Sequence, residues 1–171
     1  MFVNNVHSAR YQVTEEQWND WKENWLKNLA IAVSPALKKY DVMWGSEVHS
    51  PAPTELYLSL VKEVNNPYVG LVADLAAWMY DPSVLGAEQS MIENFKACLP
   101  YIKHVHAHNI GASIWMNHTL GNMEYPQDKL ISLLVESGYS GYITAEVGGE
   151  SSALETKRTI EECVKLIKNC F

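Results

Sequence analysis

Tyr101-Ile-Lys-His-Val-His-Ala-His-Asn109 sets three histidines at alternating positions behind a β-branched run. Alternate residues of an extended strand share one face. His104, His106 and His108 are therefore expected to project together from the end of a strand. Imidazoles titrate near neutral pH and ligate metals, so the cluster points to proton transfer or metal binding. The plainer reading is a histidine-rich solvated turn. The two separate on what the rest of the chain places beside this stretch.

Outward from it, apolar runs alternate with helical periods. Val42-Met-Trp-Gly-Ser-Glu47, Tyr68-Val-Gly-Leu-Val-Ala-Asp74 and Gly141-Tyr-Ile-Thr-Ala-Glu146 read as three further strands. The second is almost wholly apolar, as strands covered on both faces are. Helices fall between them. Thr14-Glu-Glu-Gln17 is a capping-box pattern opening a long helix, with Trp18, Trp21, Trp25, Leu26, Leu29, Val33 and Leu37 on the helical period. Pro35 is expected to kink or split that helix. Thr54 caps the next, Pro100 stops the third, Gly138 closes the fourth, and Ala153 to Asn169 forms the last. Residues 1–13 read as irregular, and His108 to Tyr125 as a long loop of the kind that carries function. The order is a helix followed by four strand–helix units. That alternation predicts an α/β fold with a parallel sheet and right-handed crossovers, in a single domain over residues 1–171.

Composition narrows the function classes. The chain has 171 residues and a formal net charge of −7, with Lys38-Lys39 and Lys157-Arg158 as its only basic clusters. That argues against a nucleic-acid backbone as partner. Cys98, Cys163 and Cys170 are odd in number and lack CxxC spacing, which fits free thiols in a reducing compartment. The first ten residues lack a basic start and apolar core, and no apolar run approaches the ~20 residues of a membrane span. The expectation is a cytoplasmic protein with no membrane partner. Nine Tyr and six Trp are numerous, as core or as walls for flat-faced ligands.

Each expected strand ends in a group that can hold a metal: Glu47, Asp74, His106 and Glu146. They lie one strand–helix unit apart. In a parallel barrel all strand C-termini open on one face, where active sites form. Four distant residues would meet there. Three carboxylates and one imidazole suit Mn²⁺ first, with Mg²⁺, Co²⁺ or Zn²⁺ as alternatives, in an open site rather than a closed structural zinc site. A metal so placed polarises a carbonyl and stabilises an enediolate, while a nearby carboxylate or histidine removes the adjacent carbon-bound proton. His49 and His108 are further candidates for that proton transfer, and His104 for a supporting role.

The pattern resembles the C-terminal half of the xylose isomerase-like TIM barrels, the sugar phosphate isomerase/epimerase superfamily. The resemblance rests on Gly45-Ser-Glu-Val-His-Ser-Pro51, Val69-Gly-Leu-Val-Ala-Asp74, Ile102-Lys-His-Val-His106 and Gly138-Tyr-Ser-Gly-Tyr-Ile-Thr-Ala-Glu146, and spans about residues 14–170. It implies that these are strands 5–8 of a (β/α)8 barrel, preceded by a helix. It also implies that Glu47, Asp74, His106 and Glu146 bind one divalent metal, and that Glu47 and Glu146 act as acid and base on a sugar. Within the superfamily the same motifs resemble the large subunit of C-glycoside deglycosidases. These cleave 3-oxo-glycosides by metal-assisted elimination, beginning with the same proton removal beside a carbonyl.

Some positions depart from the family pattern. Ala77 stands where many epimerases place a histidine, and no arginine follows His106 in the next loop. A complete barrel has eight strands and about 250 residues, against four expected strands. A half-barrel exposes sheet edges, so the chain is expected to associate as a homo-oligomer or with a complementary subunit. Three readings follow: a metal-dependent sugar isomerase or epimerase, a lyase subunit acting on 3-oxo-glycosides, and a non-catalytic half-barrel that binds a sugar or a partner.

Overall fold

A computed structural model describes residues 2–4, 14–48, 54–75, 88–107, 126–146 and 152–171. Strands β1 (Phe2–Asn4), β2 (Trp44–Val48), β3 (Val69–Asp74), β4 (Ile102–Ala107) and β5 (Ile143–Ala145) form one sheet in the order β1-β2-β3-β4-β5. All four pairings are parallel. The helices are α1 (Glu15–Trp21), α2 (Lys27–Tyr40), α3 (Thr54–Val64), α4 (Glu88–Cys98), α5 (Gln127–Glu136) and α6 (Ala153–Asn169). The four expected strands are present, and the fold is α/β with the topology of a partial TIM barrel. A fifth strand is added at the N-terminus. Phe2, Val3 and Asn4 pair with Trp44, Gly45 and Ser46, in a segment whose sequence read as irregular. Three residues are too few to display a two-residue period, so this strand owes its definition to pairing rather than pattern.

The expected capping box forms: Thr14 donates its backbone N–H to the Gln17 side chain at 2.9 Å, and Gln17 N–H reaches Thr14 Oγ1 at 3.2 Å. The long helix is interrupted elsewhere than expected. Pro35 lies inside α2 without splitting it. The irregularity is a π-helical turn over Lys22–Leu26, where Lys27 N–H bonds the Lys22 carbonyl. A π turn inserts one residue into the helical phase. Leu26 and Ala30 therefore face the core, while Trp25 is 73% exposed and Trp21 37% exposed. Lys22, buried in that turn, reaches Glu63 of α3 at 2.6 Å, and Lys27 holds the other Glu63 oxygen at 2.8 Å.

The core lies between sheet and helices. Tyr57, Leu58, Leu60 and Val61 of α3, Met91 and Phe95 of α4, and Leu130, Ile131 and Leu134 of α5 cover the sheet. Every residue of β2 and β3 is buried. In β4 the alternation is visible: Val105 and Ala107 are buried among the helices, and His104 and His106 point to the opposite face, half-buried. That face carries the polar groups.

Candidate metal centre

Glu47 sits near the C-terminal end of β2, His106 near that of β4, and Glu146 directly after β5. A parallel sheet puts these ends on one side. Glu47 is 5% exposed, because the strand that carries it is covered throughout. Glu146 is held to the sheet by its N–H donated to the Ala107 carbonyl at 2.9 Å, which extends the β4–β5 ladder past the last strand residue.

The three side chains converge. His106 Nδ1 lies 2.8 Å from Glu47 Oε1 and 2.9 Å from Glu146 Oε2. One ligand atom from each lies within 4.8 Å of the others. Glu47 is inside the protein and the Glu146 side chain is 49% exposed, so the group has a closed side and an open side. The two carboxylates, Glu146 foremost and then Glu47, hold the His106 imidazole protonated and push its pKa up to about 10. A positive charge between two carboxylates is the favoured state of this group.

Asp74 takes its expected place at the end of β3. It is buried, and it is the register partner of His106. Register partners share a sheet face, so it stands beside the trio without being one of the three converging groups. His104 lies one layer below His106, with ring centroids 5.2 Å apart and ring planes near perpendicular. Burial, then the charge on His106, lowers its pKa. His104 Nε2 also shares a hydrogen bond of 2.9 Å with Thr144 Oγ1. Thr144 carried no signal in the sequence other than standing two residues before Glu146, on the same face of an extended strand. His49, His108 and Ala77 lie outside the described residues.

A family model, the xylose isomerase-like TIM barrel, matches residues 2–170. The chain belongs to that family. Among solved structures, the xylose isomerase-like fold recurs in the 3-keto-D-glucoside 4-epimerase YcjR from E. coli, at a TM-score of 0.67 and 12% identity, over 98% of this chain and 63% of that one. A D-allulose 3-epimerase from Methylomonas sp. in complex with D-allulose matches at 0.62 and 16%, over 96% and 59%. A xylose isomerase-like TIM barrel protein from Mycobacterium smegmatis in complex with magnesium matches at 0.60 and 16%, over 99% and 62%. The chain thus spans less than two thirds of each. No curated protein sequence matches it significantly. Among the described residues, no helix is long and apolar enough to cross a membrane.

Proposed function

We propose that this chain carries the divalent-metal half of a sugar isomerase or epimerase, moving a proton on a carbon beside a carbonyl. The observation that carries the reading is the convergence of Glu47, His106 and Glu146 from three strand ends. The donor set fits a metal. Two carboxylate oxygens already flank the charged His106 ring, and a divalent cation would take the place of the Nδ1 proton between them. Asp74 in register with His106 offers the fourth ligand. Mostly oxygen donors favour Mn²⁺, with Mg²⁺, Co²⁺ or Zn²⁺ as alternatives.

When bound, the metal would polarise the substrate carbonyl and offset the negative charge that develops on its oxygen. The chain's residues supply the rest. Glu146, half-exposed, can pass a proton between substrate and solvent. Glu47, enclosed by β2, can hold one without exchange with water. That difference in solvent access supports distinct acid and base roles for the pair. His49 and His108 remain candidates for the same transfer.

The neighbouring epimerases support a sugar substrate. The YcjR likeness keeps a second reading, a lyase acting on 3-oxo-glycosides, because its named substrate is a 3-keto-glucoside. Both begin with the same proton removal. Ketohexoses and 3-oxo-C-glycosides incubated with metal-loaded protein in D₂O would separate them. An epimerase exchanges the carbon-bound hydrogen and leaves the aglycone attached, whereas a lyase releases it. Metal binding with no exchange on either class would leave a sugar-binding half-barrel.

Association belongs to the same proposal. Among the described residues β1 and β5 are the two edges of the sheet. Trp25 and Tyr40 are exposed on the helices after β1, and Leu154 and Phe171 in and just after α6. Sheet edges without a further strand among the described residues, together with exposed apolar side chains, favour a second copy or a complementary subunit that closes the barrel.

A further inference from the structure

Glu146 depends on the least secured strand of the sheet. β5 has three residues and lies at the edge, paired only with β4 among the described residues. A short edge strand is the first part of a sheet to fray. Yet Glu146 completes the trio, its Oε2 2.9 Å from His106 Nδ1. Beneath it, Thr144 is the register partner of His106, and its hydroxyl bonds the His104 ring at 2.9 Å. This is a diagonal side-chain clamp across the strand pair, between the residues two before His106 and two before Glu146. The same His104 ring stands nearly perpendicular to His106, 5.2 Å between centroids, and restricts how that ring can turn.

We propose that His104 and Thr144 are positioning residues, which fix the β5 edge to β4 and thereby hold Glu146 and the His106 ring in ligating geometry. The inference rests on the metal reading for its consequence, but not for the clamp itself. His104 acts through what it holds. Its Nε2 is engaged by Thr144, so neither residue needs to touch substrate. The clamp is a single hydrogen bond beside a fixed ring, so its loss loosens one edge without unfolding the sheet.

Thr144→Val keeps shape and removes the hydroxyl, and Thr144→Ser restores the hydroxyl. His104→Gln keeps a polar atom near the ring Nε2 position, and His104→Phe removes it. In metal-free protein, amide exchange at Glu146, whose N–H bonds Ala107, should quicken about tenfold in Thr144→Val and His104→Phe. It should return toward wild type in Thr144→Ser and His104→Gln. Amides of β3 should not change. In the same set, Mn²⁺ titration should show an affinity weakened about tenfold in the first pair, in line with the usual effect of losing a group that orients a ligand. Unchanged Glu146 exchange in Thr144→Val would overturn the clamp. So would exchange quickened equally across β3, which would mean general loosening. Wild-type protein that bound no Mn²⁺ would defeat the metal reading, while the exchange data would still decide the clamp.

Discussion

Metal binding should cost the protein a proton, and the proton should come from His106. The two carboxylates, Glu146 first and then Glu47, push its pKa up to about 10, so at pH 7.5 the ring is charged almost completely. A metal takes the neutral ring as ligand. Binding Mn²⁺ at pH 7.5 should therefore release about one proton, and apparent affinity should rise about tenfold per pH unit up to about pH 10. An ordinary histidine, with a pKa near 6.5, would let affinity level off above about pH 7. The energetics follow from the same numbers. A rise from 6.5 to about 10 corresponds to a ceiling of about 5 kcal/mol between the two protonation states. Glu146 is half-exposed, so solvent screening leaves on the order of 2 kcal/mol. Because the folded-state value is raised, this stabilisation is full below pH 6.5 and is lost as pH climbs through 10. The metal-free melting temperature should fall roughly 5 °C across that window. In Glu146→Gln the fall should be shallower. Calorimetric titrations with Mn²⁺ at pH 7.5, in two buffers of different ionisation enthalpy, count the protons directly. Release near zero would mean that the ring was neutral before the metal arrived, contrary to the charge the two carboxylates impose on it.

Other consequences lie outside the site. Lys22 and then Lys27 hold the Glu63 carboxyl at about 2, so the network's contribution is present above about pH 4.5 and lost as pH falls toward 2. Lys22→Met should cost about 1 kcal/mol at pH 7, Glu63 being one third exposed, and should flatten the acid limb of a melting curve. An unchanged acid limb would contradict it. Gly70→Ala would drive a methyl group into the Tyr101 carbonyl and the Lys103 side chain. Backbone cannot yield as a side chain can, so a loss of about 1–3 kcal/mol should appear in urea unfolding. Phe95→Ala empties a fully buried position between α4 and the sheet and should cost about 3–5 kcal/mol in the same assay.

The strand–helix alternation was legible because buried parallel strands and amphipathic helices have different periods. Val69–Asp74 and Ala153–Asn169 needed nothing beyond their own residues. The approach of Glu47, His106 and Glu146 followed from one structural rule, that parallel strands end on the same side. What could not be read has a physical reason in each case. Phe2–Asn4 is a strand through its partner. The π turn at Lys22–Leu26 leaves no mark in composition, yet it turned Trp25 out to solvent and Leu26 in. Pro35 was tolerated within α2. The different roles of His106 and His104 were also legible, since only His106 ends its strand, but the partner of His104 was not. His106 meets the carboxylates, and His104 meets Thr144, a contact between residues 40 apart.

If Glu47, His106 and Glu146 form one divalent-metal site, the bound ion depends on the His106 ring. Native mass spectrometry of wild type and His106→Ala, each incubated with Mn²⁺ and exchanged into volatile buffer, tests it most directly. One metal ion per chain is expected in wild type and none in the variant, with folded charge-state distributions for both. The same metal stoichiometry in His106→Ala would contradict it.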